Sequence, residues 1–257
     1  QYGDSLIVGS SKVIDKDNPL NNPWYNASNS QNIDLKAAQV KAGTGDLNIV
    51  ILGDSKSDNG QSMHRSYLEY LKTKIVSKGP GFVGGNYNFY NITDDGDGPE
   101  DNNWTLKSAN TGGGFSDKYS IISTGSSTSF KFRASEGNLY EGFANYNTVE
   151  VYYKGVSGGG TFQVLAGASV VATINTASTT GFQTAVVDLG SVAQHTITIN
   201  PTVVGAAFTE IYGFNLYVDT LAGTLVHKIA QTGMRSNDFY TMDSAVFVNG
   251  LDVLDAD

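Results

Sequence analysis

Residues 47–55 read LNIVILGDS. From Leu47 to Leu52 the run is apolar and β-branched apart from Asn48, which predicts a strand buried on both faces in a parallel sheet. It leads straight into Gly53, Asp54 and Ser55. After a polar turn, SMHRSYLEYLKTKIV (62–76) carries Met63, Tyr67, Leu68, Leu71 and Ile75 close to one helical face. Strand, tight polar turn and helix form the opening unit of an α/β domain.

On either side the character changes. Residues 1–45 are rich in Asn, Asp, Ser, Pro and Gly and read as an extended lead-in, with a short helical stretch near IDLKAAQVKA (33–42). KGPGFVGGNYNFYN (78–91) and DDGDGPEDNN (94–103) read as loops. Short segments of period two follow, with Phe130 and Phe132, then Val149, Val151 and Tyr153, then TFQVLA, VVATINT, FQTAVVDL, HTITIN and YGFNLYV, separated by turns such as SGGG and STTG. Many short strands at close spacing predict an antiparallel β-sandwich of jelly-roll type over 104–222. The α/β pattern returns with the strand-like TLVHKIA (224–230), the polar loop QTGMRSNDF (231–239) and helical spacing of Phe247, Leu251 and Leu254. The expected architecture is α/β, in two pieces at 46–103 and 223–257, interrupted by an all-β insertion.

Composition narrows the function. The 257 residues hold 16 basic and 25 acidic side chains, a net charge of -9, which argues against a nucleic-acid binder. No apolar run reaches the ~18–20 residues that span a bilayer. The absence of cysteine removes disulfides and thiol chemistry. The front of the chain lacks a signal-peptide layout and an initiating Met, so it is expected to be processed or excerpted there.

Ser55 is the sharpest chemical feature. A serine at the carboxyl end of a buried parallel strand stands in the crevice where open α/β sheets bind ligands, and the helix behind it favours developing negative charge. Its hydroxyl needs a base and oxyanion donors to act as a nucleophile. The competing reading is that Asp54 or Ser55 only caps the helix. Calcium binding by Asp94, Asp95, Asp97 and Asp101 is set against a solvated linker, because the spacing does not match an EF-hand. His64, His195 and His227 are read as ordinary surface or packing histidines. Trp104, Tyr140 and Tyr146, beside Asn and Gly, are the candidate sugar-stacking residues. No metal and no cofactor are expected.

LNIVILGDSKSDNG resembles the first sequence block of the SGNH (GDSL-type) hydrolases, and the Gly233 region of HKIAQTGMRSNDF resembles the second. The resemblance covers 46–78 and 223–257, and the inserted sandwich by architecture alone. It implies an SGNH-type parallel-sheet hydrolase with Ser55 as nucleophile, Gly233 as an oxyanion-hole donor, and Asp54 in the binding set beside them. The family's third block, with its GxND-like loop, and its fourth, with a DxxH motif, have no counterpart here. Asn237 and Asp238 follow the Gly233 loop too closely to take the third-block role. The triad's His and Asp are therefore expected beyond residue 257.

The resemblance implies a serine esterase that removes O-acetyl or similar groups from a bacterial surface polysaccharide or other acetylated glycan. The setting it implies is extracellular: a phage tail spike on the virion, commonly a homotrimer, or a secreted protein. The rival reading is a non-catalytic glycan-binding or receptor-binding module built on the sandwich. Under it, loss of the Ser55 hydroxyl would be silent.

Overall fold

The computed structural model describes residues 7–8, 11–12, 27–53, 76–84, 104–108, 119–123, 129–133, 144–203, 209–230 and 244–255. Strands β1 (Ile7–Val8) and β2 (Ser11–Lys12) pair antiparallel within the lead-in. Helix α1 (Ala27–Ala42) follows, six residues longer at its front than the stretch read from sequence. Val40 is its buried anchor, and Gly43, at φ 69°, ends it in the left-handed conformation that suits a C-terminal cap.

LNIVIL and TLVHKIA form strands that pair in parallel; of the first strand's residues whose burial is described, Leu47 is buried and Asn48, Ile49 and Val50 are partly exposed. Strand β3 (Leu47–Gly53) lies parallel to β14 (Thr224–Ala230), in register from Leu47 opposite Thr224 to Gly53 opposite Ala230. Among the described residues this pair is all of the parallel sheet. Between its strands, β4 (Gly81–Gly84), β5 (Trp104–Ser108), β6 (Tyr119–Ser123), β7 (Phe130–Arg133), β8 (Tyr146–Gly155), β9 (Thr161–Ala166), β10 (Ser169–Asn175), β11 (Gly181–Ala193), β12 (Thr196–Val203) and β13 (Glu210–Tyr217) build two antiparallel sheets. The smaller has the order β10-β9-β12-β7, and the larger β11-β8-β13-β6-β5, with β4 also paired to β13. From β6 to β13 successive strands alternate between the sheets, except that β9 and β10 form a hairpin within the smaller one, in the order that two Greek keys give a jelly roll.

Period two decides which side chains enter the sandwich. Phe130, Phe132, Phe162, Val164, Ile197 and Ile199 of the smaller sheet meet Val149, Val151, Tyr153, Ile211, Phe214 and Leu216 of the larger in one core. Phe214 is its centre, with ring centroids 4.5 Å from Phe132 and 6.2 Å from Phe130. A bulge between Ile211 and Gly213 turns both Ile211 and Phe214 inward and leaves Tyr212 on the opposite face.

That opposite face is covered as well. Phe82, Tyr152 and Tyr212 join Ile229 of β14 and Val246 and Leu254 of α2 (Ser244–Leu254) in a second core, with Val50 of β3 packed against it. Phe82 stacks on Tyr152 with centroids 5.0 Å apart, and Phe182 stacks on Tyr212 at 5.6 Å. This core joins the sandwich to the parallel pair.

The stretch read as a loop at 78–91 contains β4, so the larger sheet draws on residues ahead of 104. Gly81 makes this possible: at φ 76°, a Cβ there would sit 2.7 Å from the Val226 carbonyl oxygen of β14. The chain enters and leaves the sandwich side by side. Val218 N–H donates to the Lys78 carbonyl at 2.8 Å, Lys78 N–H to Thr224 at 3.0 Å, and Thr224 N–H to Val76 at 2.7 Å. Asp46 completes the stem, its Oδ2 2.6 Å from Lys78 Nζ and its Oδ1 accepting Gly223 N–H at 3.0 Å.

His227 lies inside this junction, 1% exposed. Its Nδ1 accepts the Phe82 N–H at 3.1 Å, so the proton of the neutral ring resides on Nε2, which faces Asn48 Oδ1 across 3.5 Å. Burial lowers its pKa from 6.5 to about 3, because a charged ring there would lose its water.

Two outcomes follow from these cores. Phe214→Ala is expected to cost about 3–5 kcal/mol, the usual range for emptying a packed aromatic site, measured by urea denaturation. His227 contributes its full stabilisation above its unfolded-state pKa. As pH falls from 6.5 towards 3, the unfolded chain takes up a proton that the folded ring refuses. Unfolding free energy should therefore drop at up to ~1.4 kcal/mol per pH unit from this group, and His227→Gln should show a correspondingly shallower slope.

Candidate active site

The residues proposed for chemistry hang from the carboxyl ends of β3 and β14. Gly53 and Ala230 are register partners, so the chain leaves the two strands at the same edge. Parallel neighbours lie about 4.8 Å apart, so the described strand ends lie side by side. Asp54 and Ser55 are the first residues after β3, and Gly233 is the third after β14. Asp54, Ser55 and Gly233 themselves lie outside the described residues, as do Tyr140, His64 and the acidic stretch 94–101.

Trp104 opens β5, opposite Ser123 of β6, and its side chain lies outside the described residues. Tyr146 is described, and its expected binding role is corrected. It is 0% exposed, packs in the main sandwich core, and donates its hydroxyl to the His195 carbonyl at 3.0 Å. A ring with no exposed face offers nothing for a sugar to stack on. Its Asn-flanked position at the head of β8 reads as a loop, but the irregular register opposite Ala193 folds it inward.

Nor do the described histidines offer a base to Ser55. His227 has both ring nitrogens engaged inside the junction. His195 belongs to the sandwich, with Nε2 2.8 Å from the Ser191 carbonyl and its ring edge-on to Tyr146. Among the described residues no three His, Cys, Asp or Glu side chains gather as a metal site, and no helix is long and apolar enough to cross a membrane.

The structure adds one polar cluster that the sequence pattern does not reveal. On the outward side of the larger sheet, Tyr152 donates its hydroxyl to Glu150 Oε2 at 3.0 Å, and Asn215 Nδ2 reaches the same oxygen at 3.5 Å. Burial raises the Glu150 pKa, partly opposed by those hydrogen bonds. Burial and the adjacent Glu150 charge push the Tyr152 phenol far above its ordinary range. Glu150 and Asn215 sit opposite one another on β8 and β13, 65 residues apart in sequence, so only the strand pairing unites them. Nearby, Asn147 and Asp219 exchange two hydrogen bonds, of 2.6 and 3.0 Å, and clamp the chain where it leaves β13.

No protein-family model matches the chain, and no curated protein matches it. Solved structures do. The chain is similar to a structure described as "Peptidoglycan O-acetylesterase in action, 5 min", at 21% identity and a TM-score of 0.58, over 87% of this chain. It spans 57% of that neighbour's length. A β-1,3-glucan-binding family 6 carbohydrate-binding module from Bacillus halodurans matches 54% of this chain and 97% of its own, at 11% identity and a TM-score of 0.36. A family 6 module from Clostridium stercorarium in complex with cellobiose matches 48% of this chain and 88% of its own, at 15% identity and a TM-score of 0.32. At 21% identity, the first similarity shows a shared fold and nothing more.

Proposed function

We propose that the chain carries the nucleophile half of a serine esterase of SGNH type, acting on O-acetyl or similar acyl groups of a polysaccharide. The observation that supports this reading best is the register of β3 with β14. It brings the strand that ends at Gly53, just ahead of Asp54 and Ser55 in sequence, beside the strand that precedes Gly233, with a whole sandwich inserted between them. In the proposed reaction Ser55 Oγ attacks the acyl carbonyl carbon while a base takes its proton. The N–H groups of Ser55 and Gly233 hold the resulting oxyanion. Collapse expels the sugar hydroxyl, which regains a proton, and water then releases the acid from the acyl-serine. The reading places the triad's His and Asp outside 1–257. A bacterial surface or otherwise acetylated glycan is the proposed partner, with a secreted or virion-tail, homotrimeric setting.

A second reading is glycan binding without turnover. It is favoured by the sandwich's own closed core, which needs nothing from the strands that would carry catalysis. The two readings part at one residue. In a protein that joins this chain to such a His and Asp, a fluorophosphonate should label Ser55, and Ser55→Ala should lower 4-nitrophenyl acetate hydrolysis at least ~10³-fold. Equal hydrolysis by both proteins, or unchanged polysaccharide binding with no labelling, would transfer the function to the second reading.

A further inference from the structure

Two of the three strands that meet at His227 are the ones that carry the proposed site. The ring belongs to β14, faces Asn48 of β3, and accepts the backbone N–H of Phe82 on β4, the strand through which the sandwich touches the parallel pair. Antiparallel pairing with β13 uses one edge of β4. Phe82 N–H serves the other edge, and the imidazole is its acceptor. Around this bond the junction packs the hydrophobic side chains Phe82, Tyr152, Tyr212, Ile229, Val246 and Leu254. Apolar contacts hold surfaces together without fixing how far one slides on the other, whereas a buried directional bond specifies register. The close approach of Gly81 to the Val226 carbonyl shows independently that β14 is seated against β4 at this level. His227 pairs with Val50, three residues before the Gly53–Ala230 end, or about 10 Å from it.

We infer that His227 is a positioning residue for the proposed site: its neutral ring ties β14, β3 and β4 into one register, so that the sandwich fixes Gly53 against Ala230, the strand ends that precede Ser55 and Gly233 in sequence. The inference rests on the esterase reading for its catalytic consequence, but the tie itself does not. A shift on the order of 1 Å at a reacting centre can cost about 10²-fold in rate, so a tie 10 Å away has room to matter. The Asp46–Lys78 ion pair at the stem and the Glu150 cluster do not substitute for it, since neither reaches the Phe82 N–H.

The test compares wild type, His227→Leu and His227→Gln in two measurements on the full protein. Hydrogen exchange should show the Phe82 amide losing at least tenfold protection in His227→Leu, with the Val149 and Ile199 amides of the main core unchanged. With 4-nitrophenyl acetate, kcat should fall roughly tenfold or more while KM stays within about twofold. His227→Gln, whose side-chain oxygen can accept the same N–H, should recover most of both losses. Wild-type Phe82 protection and kcat in His227→Leu would overturn the inference, as would a His227→Gln variant no better than His227→Leu. If His227→Leu does not fold, Asn48→Ala is read in the same way, since it frees the ring on its β3 side. An inactive wild type would sink the esterase reading instead, and Phe82 exchange would still decide the tie.

Discussion

The parallel pairing of β3 with β14 is the constraint on which the rest depends. Asp46 and Gly223, hydrogen-bonded at the stem, are 177 residues apart in sequence. Closing a loop of that length costs entropy that grows only as its logarithm, so the long insertion is not itself prohibitive. What matters is that the inserted chain returns to the place it left. A jelly roll does this by construction, because its first and last strands are neighbours: β6 pairs with β13 at Glu210 and Ile211, and β4 takes the same edge of β13 from Gly213 to Leu216. The crossings into and out of the sandwich therefore lie together, and the Lys78, Val218, Thr224 and Asp46 bonds fasten them.

A second consequence concerns the two faces of the larger sheet. One face fills the sandwich core through Val149, Val151, Phe214 and Leu216, and the other supplies Tyr152, Tyr212 and Phe82 to the junction. A face that docks an adjoining sheet and helix through stacked aromatics is not available to stack sugars. Glycan recognition by the sandwich would have to use its ends or the outward side of the smaller sheet. There, Gln163, Thr198 and Asn200 stand on neighbouring strands of β9 and β12, each partly exposed.

How much of this was legible in the sequence depends on how local the deciding interaction is. LNIVIL and TLVHKIA declare themselves because short, largely apolar and β-branched runs are a local strand signal. The period of two in β8, β9 and β12 is likewise local, and it predicts the sandwich. GFVG does not declare itself: four residues flanked by glycine carry no periodicity, and the partner strand lies about 130 residues on, at Gly213 to Leu216. Tyr146 misleads for a related reason, since its Asn neighbours suggest a loop while burial is decided by an irregularity in the opposing strand. The helix α1 starts earlier than its apolar spacing suggests, because Ala27–Asn32 joins a helix that only Val40 anchors in the core among the residues whose burial is described. At the site, Ser55 stands out by its place after a predicted buried strand, and only the motif resemblance names Gly233. The described strands supply the shared edge but not those side chains.

His227 shows why the chemistry of a residue cannot be read apart from its strand partners. In sequence it is one of three histidines and stands in the strand beside the proposed nucleophile strand, which invites a catalytic reading. A general base needs a lone pair facing the proton it takes and a pKa near the working pH. Here the Nδ1 lone pair is spent on the Phe82 amide and burial holds the pKa near 3, so the ring would be neutral and occupied throughout the range in which esterases work. The burial that disqualifies it as a base qualifies it as a tie, because an acceptor that stays neutral until the pH nears about 3 keeps its hydrogen bond across the neutral range. Under the proposed esterase reading, a base for Ser55 would have to be more exposed and less constrained than this histidine.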